Sequence, residues 1–137
     1  MDAKGRLSIP AAFRTELLAR SESPPILKND KACLALYANE DWVQIEDNLA
    51  GRSPVQPETR AYLRFFVSGA TECPFDSQGR ILVPQHLRDH ARLEREITIA
   101  GVGPSIDLWD KTLFDQELQR TLAKFDEIAS VVAGDGS

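Results

Sequence analysis

The chain has 137 residues, 42% of them apolar and 27% charged, and a net charge of −5. That balance suits one respectable core, or two small halves sharing one, and excludes wholesale disorder. No apolar run approaches the roughly 18–20 residues that cross a bilayer, and the acidic total argues on its face against nucleic acid, whose binders carry a basic footprint.

In chain order, Asp2 and Gly5 predict a tight turn: a short carboxylate accepts backbone N–H bonds just ahead of it, and glycine supplies positive φ. Arg6 to Ile9 then reads as a strand, with Leu7 and Ile9 on one face and Arg6 and Ser8 on the other. Pro10 ends the strand and suits the first position of a helix, AAFRTELLAR, in which Phe13 and Leu17 share a face. A strand is expected over residues 32–37. Asn39 is expected to cap a helix over 40–50, with Gly51 as its stop. The segment 54–69, with Ala61, Leu63, Phe65, Phe66 and Val67, suggests another helix, one that buries its aromatics.

The pattern then starts again. Asp76 and Gly79 predict a second turn, Arg80 to Val83 a strand, and Pro84 the start of the helix QHLRDHARLE, with Leu87 and Ala91 on one face. Strands are expected over 96–100 and 106–109. Asp110 is expected to cap a long amphipathic helix over 111–131, with Leu113, Phe114, Leu118, Leu122, Phe125 and Ile128 on its apolar side. A flexible tail, 134–137, closes the chain.

The recurrence is an internal repeat. Residues 2–14 and 76–88 share Asp, two free positions, Gly, Arg, Leu or Ile, one free position, Ile or Val, Pro, two free positions, Phe or Leu, and Arg. A second block follows in the same order. Leu36, Tyr37 and Trp42 correspond to Leu108, Trp109 and Phe114. Chance explains two matched blocks poorly, so the chain reads as two copies of one unit.

Little in it suggests catalysis. Two equivalent turns give Asp2 and Asp76 equivalent environments, whereas acid–base work needs pKa values pushed apart. Ser-His-Asp order, a P-loop and a dinucleotide fingerprint are all missing, and no cofactor is implied. His86 and His90 sit at a helical i, i+4 spacing that can hold zinc, but HLRDH lacks the Glu of HExxH and shows no third ligand; solvent-facing histidines are the default reading. Cys33 and Cys73, far apart, read as buried thiols in a reducing compartment. Trp42 and Trp109 read as core or subunit contacts. There remain Arg6 and Arg80, at the same place in each unit, with Lys4 beside the first and Gln78 beside the second. A paired β-ribbon can enter the major groove and offer arginine to guanine or phosphate. The alternative is an exposed Asp–Arg pair four residues apart, worth about 0–1 kcal/mol. Residue chemistry alone leaves both open.

At these residues the sequence resembles the MraZ family of bacterial transcriptional regulators, within the AbrB-like superfamily. The resemblance rests on the tandem phrases DAKGRLSIPAAFR and DSQGRILVPQHLR and covers nearly the whole chain. It implies an α+β fold, a tandem-repeat swapped-hairpin β-barrel with short helices after each repeat and a C-terminal helix. Residues 1–66 would form the first repeat and 67–133 the second. It implies a non-enzymatic, cytoplasmic and nucleoid-associated protein that binds double-stranded DNA at direct repeats upstream of the division and cell-wall gene cluster, as a ring-shaped homo-oligomer. Arg6 and Arg80, helped by Lys4, would contact DNA, while Asp2, Gly5, Asp76 and Gly79 shape the turns. A local ridge of this kind, repeated around a ring, answers the objection from net charge, because Asp and Glu collect elsewhere, for example over 107–127. The family places a further strand before the first Asp. Here Met1 directly precedes Asp2, whereas the second copy has such a segment over 67–75. The first half-barrel is therefore expected to lack a pairing partner, leaving Arg6 on a more mobile end than Arg80. The competing class is a non-catalytic adaptor or assembly protein with structural Asp–Arg pairs.

Overall fold

The computed structural model describes residues 1–52 and 55–135. The elements alternate in two rounds. The first contains β1 (Arg6–Ser8), α1 (Ala11–Arg20), β2 (Ile26–Asn29), β3 (Leu34–Tyr37), α2 (Asn39–Ala50) and α3 (Pro57–Ser68). The second contains β4 (Thr71–Glu72), β5 (Arg80–Leu82), α4 (Gln85–Ala91), β6 (Ile97–Val102), β7 (Ser105–Asp110), α5 (Lys111–Ala123) and α6 (Phe125–Asp135).

The strands form two antiparallel sheets that mix the rounds. β1 pairs with β5 in a two-stranded ribbon, and the other sheet runs β4-β2-β3-β7-β6. The registers obey a local dyad. Arg6 faces Leu82 and Ser8 faces Arg80, with Leu7 and Ile81 opposed at the centre. In the larger sheet Leu34 faces Leu108 and Leu36 faces Ile106, around the pair Ala35 and Asp107. Exchanging the two repeats maps each register onto itself. Neither unit completes a sheet alone, because each ribbon strand finds its partner in the other unit.

Alternation decides what goes inside. Leu7, Ile9, Ile81 and Val83 point inward from the ribbon and meet Leu27, Leu34, Leu36, Ile106 and Leu108 of the sheet. Leu34, Ala35 and Leu36 are all buried, as expected of a central strand covered on both faces. Leu17 from α1 and Leu87 and Ala91 from α4 close the core in equivalent places. The equivalence extends to rings: Tyr37 and Trp42 lie 5.9 Å apart, Trp109 and Phe114 5.8 Å.

Several expectations are corrected. Both prolines sit one residue earlier than expected: Pro10 and Pro84 occupy the cap positions before α1 and α4. Asn39 lies inside α2 after Ala38 at its cap, and its amide donates to Pro24 O (3.0 Å), a tertiary tie in place of a cap. Gly51 ends α2 in a right-handed conformation. α4 stops early because Arg92 turns left-handed (φ 56°), and Leu93 N donates back to Arg88 O (2.9 Å). β2 was not expected. It holds only four residues after two prolines, and its pairing with β3 and β4 makes it a strand.

α3 does not bury its aromatics as expected. Phe66 stacks on Trp42 (5.6 Å), but Tyr62 and Phe65 are exposed. The segment 67–75 yields only the two-residue β4, since Val67 and Ser68 still belong to α3. β4 covers the outer edge of β2, and the equivalent edge of β6 carries no strand among the described residues. The long C-terminal helix divides at Lys124 into α5 and α6. Its apolar stripe faces outward: Leu118, Leu122, Phe125 and Ile128 are exposed. Residues 134 and 135, expected in a frayed tail, are helical, and residues 136–137 lie outside the described set. Asp110 does cap α5, accepting from Leu113 N at 3.1 Å.

Candidate nucleic-acid interface

The two Asp–Gly–Arg turns are built from the same bonds. Asp2 Oδ1 accepts from the amides of Lys4 (3.0 Å) and Arg6 (2.9 Å), while Asp2 Oδ2 accepts from Arg6 Nε (2.6 Å). Asp76 accepts equally from Gln78 N (2.9 Å), Arg80 N (2.9 Å) and Arg80 Nε (2.8 Å). Gly5 and Gly79 turn the chain at φ 88° and 74°. Backbone bonds close each turn, from Asp2 N to Arg6 O (3.0 Å) and from Asp76 N to Arg80 O (2.8 Å). The hydrogen bonds thus hold Arg6 as firmly as Arg80, and the terminal amine of Met1 donates to Arg95 O (2.8 Å). In both turns the Arg amide is the main cause that holds the Asp carboxyl below its usual range, ahead of the guanidinium and the second amide and against a smaller opposing effect of burial.

Each Asp–Arg bond uses Nε. The two terminal nitrogens of Arg6 and Arg80 make no hydrogen bond within the protein among the described residues. Both side chains are part-exposed, at 39% and 24%. They share the outward face of the ribbon with Ser8 and Leu82, whereas Leu7 and Ile81 point inward. Lys4 is exposed on the first turn.

Two further arginines complete the site, and the reading from sequence passed over them. Arg14 donates to Ile9 O (2.5 Å) and Arg88 to Val83 O (3.0 Å), each anchoring to the residue that follows its own repeat's ribbon strand. Each guanidinium then lies against the glycine turn of the other repeat. A Cβ on Gly79 would meet Arg14 Cζ at 2.6 Å, and one on Gly5 would meet Arg88 Cζ at 2.8 Å. Four arginines from two helices and two strands therefore converge on one small ribbon. The signal was available, since the last residue of the shared pattern is Arg in both copies. Only the pairing of β1 with β5 shows that this Arg crosses to the other turn.

The remaining candidates lie elsewhere. His86 and His90 are exposed, His90 Nε2 bonds to Asp30 O, and its ring lies 6.0 Å from Phe65. No group of three or more His, Cys, Asp or Glu suited to a metal ion occurs among the described residues. Cys33 and Cys73 are buried free thiols, and burial pushes them up to about 12 and about 11. No described helix is long and apolar enough to cross a membrane.

The fold and site define a class: a two-repeat protein whose copies pair strands with each other to present one arginine-bearing β-ribbon. A family model described as "MraZ protein, putative antitoxin-like" matches the chain twice, over residues 1–65 and 66–132. The Transcriptional regulator MraZ of Syntrophobacter fumaroxidans is 39% identical over 136 residues, covering 99% of this chain and 91% of its own. Proteins of the same name from Caldanaerobacter subterraneus subsp. tengcongensis and Alkaliphilus metalliredigens are 40% and 42% identical, covering 94% and 95% of this chain and 88% and 89% of theirs. The chain belongs to the MraZ family.

Proposed function

We propose that the chain is a sequence-specific DNA-binding transcriptional regulator. The observation that carries this reading is the free terminal edge of Arg6 and Arg80, set diagonally at the two ends of a ribbon narrow enough for the major groove. Asp2 and Asp76 hold Nε and fix each guanidinium plane, and the terminal edge that remains suits bidentate bonding to guanine O6 and N7. Lys4 serves a phosphate. Asp2, Gly5, Asp76 and Gly79 set the turn, and Arg14 and Arg88 brace it from the other repeat. In this reading the ribbon and the five-stranded sheet are two walls of a swapped-hairpin barrel with repeats over 1–66 and 67–133. The protein acts in the cytoplasm on the nucleoid, at direct repeats upstream of its own operon in the division and cell-wall cluster. The exposed apolar residues of α5 and α6, and the groove of about 500 Å³ beside Leu49, Leu63 and Val67, support self-association into a ring.

The test is titration of the protein into its own upstream DNA and into shuffled DNA of equal length. Tighter binding to the first is expected, with log K falling linearly against log salt. Arg80→Ala should weaken specific binding by about 1–3 kcal/mol. Equal binding to both DNAs would defeat the reading. The Asp–Arg bonds also fit an adaptor whose pairs are structural. Arg80→Ala would then lower thermal stability and leave DNA affinity unchanged.

A further inference from the structure

We propose that Leu82 is a specificity-determining residue that contacts a thymine methyl group, so that the two halves of the ribbon read different half-sites. The inference rests on the DNA-binding reading above. The ribbon has four outward positions, filled by Arg6, Ser8, Arg80 and Leu82. Three are polar. Leu82 is 58% exposed, whereas its strand neighbours Ile81 and Val83 are buried. Nothing in the fold needs a large apolar side chain there, since the backbone alone makes the ribbon bonds and Leu82 O accepts from Cys73 Sγ (3.6 Å).

Position makes this leucine informative. It stands directly opposite Arg6 on the outward face, next to a guanidinium that reads a base edge. In the major groove the apolar group available on a base edge is the C5-methyl of thymine. Exchanging the repeats carries Leu82 onto Ser8 and Gln78 onto Lys4. The backbone is therefore two-fold while the outward chemistry is not. One end of the ribbon offers Arg6, the apolar Leu82 and the cation Lys4; the other offers Arg80, the hydroxyl of Ser8 and the neutral amide of Gln78. A perfectly palindromic site would satisfy only one half, and a polar site fixes which way the protein lies.

The experiment uses the full chain and a duplex recovered by selection from a randomised pool. Each thymine is replaced in turn by deoxyuridine, which removes only the methyl group. One position is expected at which the wild-type protein loses roughly fourfold in affinity, the equivalent of one buried methyl. Leu82→Ser should lose that sensitivity while keeping its guanine dependence and thermal stability, and Ser8→Leu should gain a second sensitive position in the other half-site. A flat response of the wild type to every deoxyuridine, or retained sensitivity in Leu82→Ser, would overturn the inference while leaving the arginine reading intact. Selection that enriches no sequence at all would overturn both.

Discussion

Gly79 serves two neighbours at once. It turns the chain at positive φ, and it leaves room for the Arg14 guanidinium from the other repeat. Gly103 shares the first property but not the second, because it turns at φ 61° with open space around it. Gly103→Ala should therefore cost only left-handed strain, about 1 kcal/mol. Gly79→Ala should cost that and the displacement of Arg14, about 2–3 kcal/mol in all. Urea midpoints of the two variants check this, and equal losses would show that the Arg14 contact contributes nothing.

Lys28 is the other residue whose setting is unusual. It is 1% exposed, with Nζ 3.1 Å from the centre of the Phe66 ring and 5.8 Å from that of Trp42. Burial pulls it down from 10.5 to about 8, against the pull of Asp30 and Cys33 in the other direction. The unfolded chain therefore holds this proton more tightly, and the contribution of Lys28 to stability rises with pH between about 8 and 10.5. Lys28→Met should be more stable than the wild type at pH 7. The gap should narrow by roughly 3 kcal/mol by pH 10.5. The comparison between variants matters because Cys33 and Cys73, raised by burial, lower stability in both proteins as pH rises past the usual thiol range. A gap constant across this range would remove the effect.

At the scale of elements, local chemistry and tertiary contact trade places from one helix to the next. Asp110 behaves as its sequence suggests, and Asp110→Ala should cost about 1 kcal/mol through the loss of its bond to Leu113 N, measured by thermal unfolding. Asn39 has the same local credentials but spends its amide on Pro24 O, where the chain returns from α1. A cap reads only three residues ahead, so sequence cannot distinguish the two. The ribbon strands were legible because period-2 alternation between two turn signals is a strong pattern. β2 was not, because a four-residue strand containing a buried lysine carries no such pattern, and only its neighbours complete its hydrogen bonds.

At the scale of the molecule, the acidic chain concentrates Arg6, Arg14, Arg80 and Arg88 on one ribbon and leaves apolar surface on the opposite kind of element, the C-terminal helices. Leu122 is 65% exposed and Val131 and Val132 are as open. Leu122→Glu should leave the monomer fold intact and reduce the assembled mass, read by light scattering after size exclusion. Wild-type protein that is monomeric at every concentration would defeat self-association through this face.

The sequence by itself determined the repeat, the two turns, the strand and helix that follow each, and the two arginines, because all of these are set within a dozen residues. Tertiary structure alone decided that β1 pairs with β5, that Arg14 and Arg88 reach across to the opposite turn, and that Leu82 stands exposed opposite Arg6. The physical reason is the range of the forces. Turn geometry and side-chain alternation are fixed by neighbours in the chain, whereas strand pairing joins residues more than seventy positions apart and is chosen by what the whole core can bury.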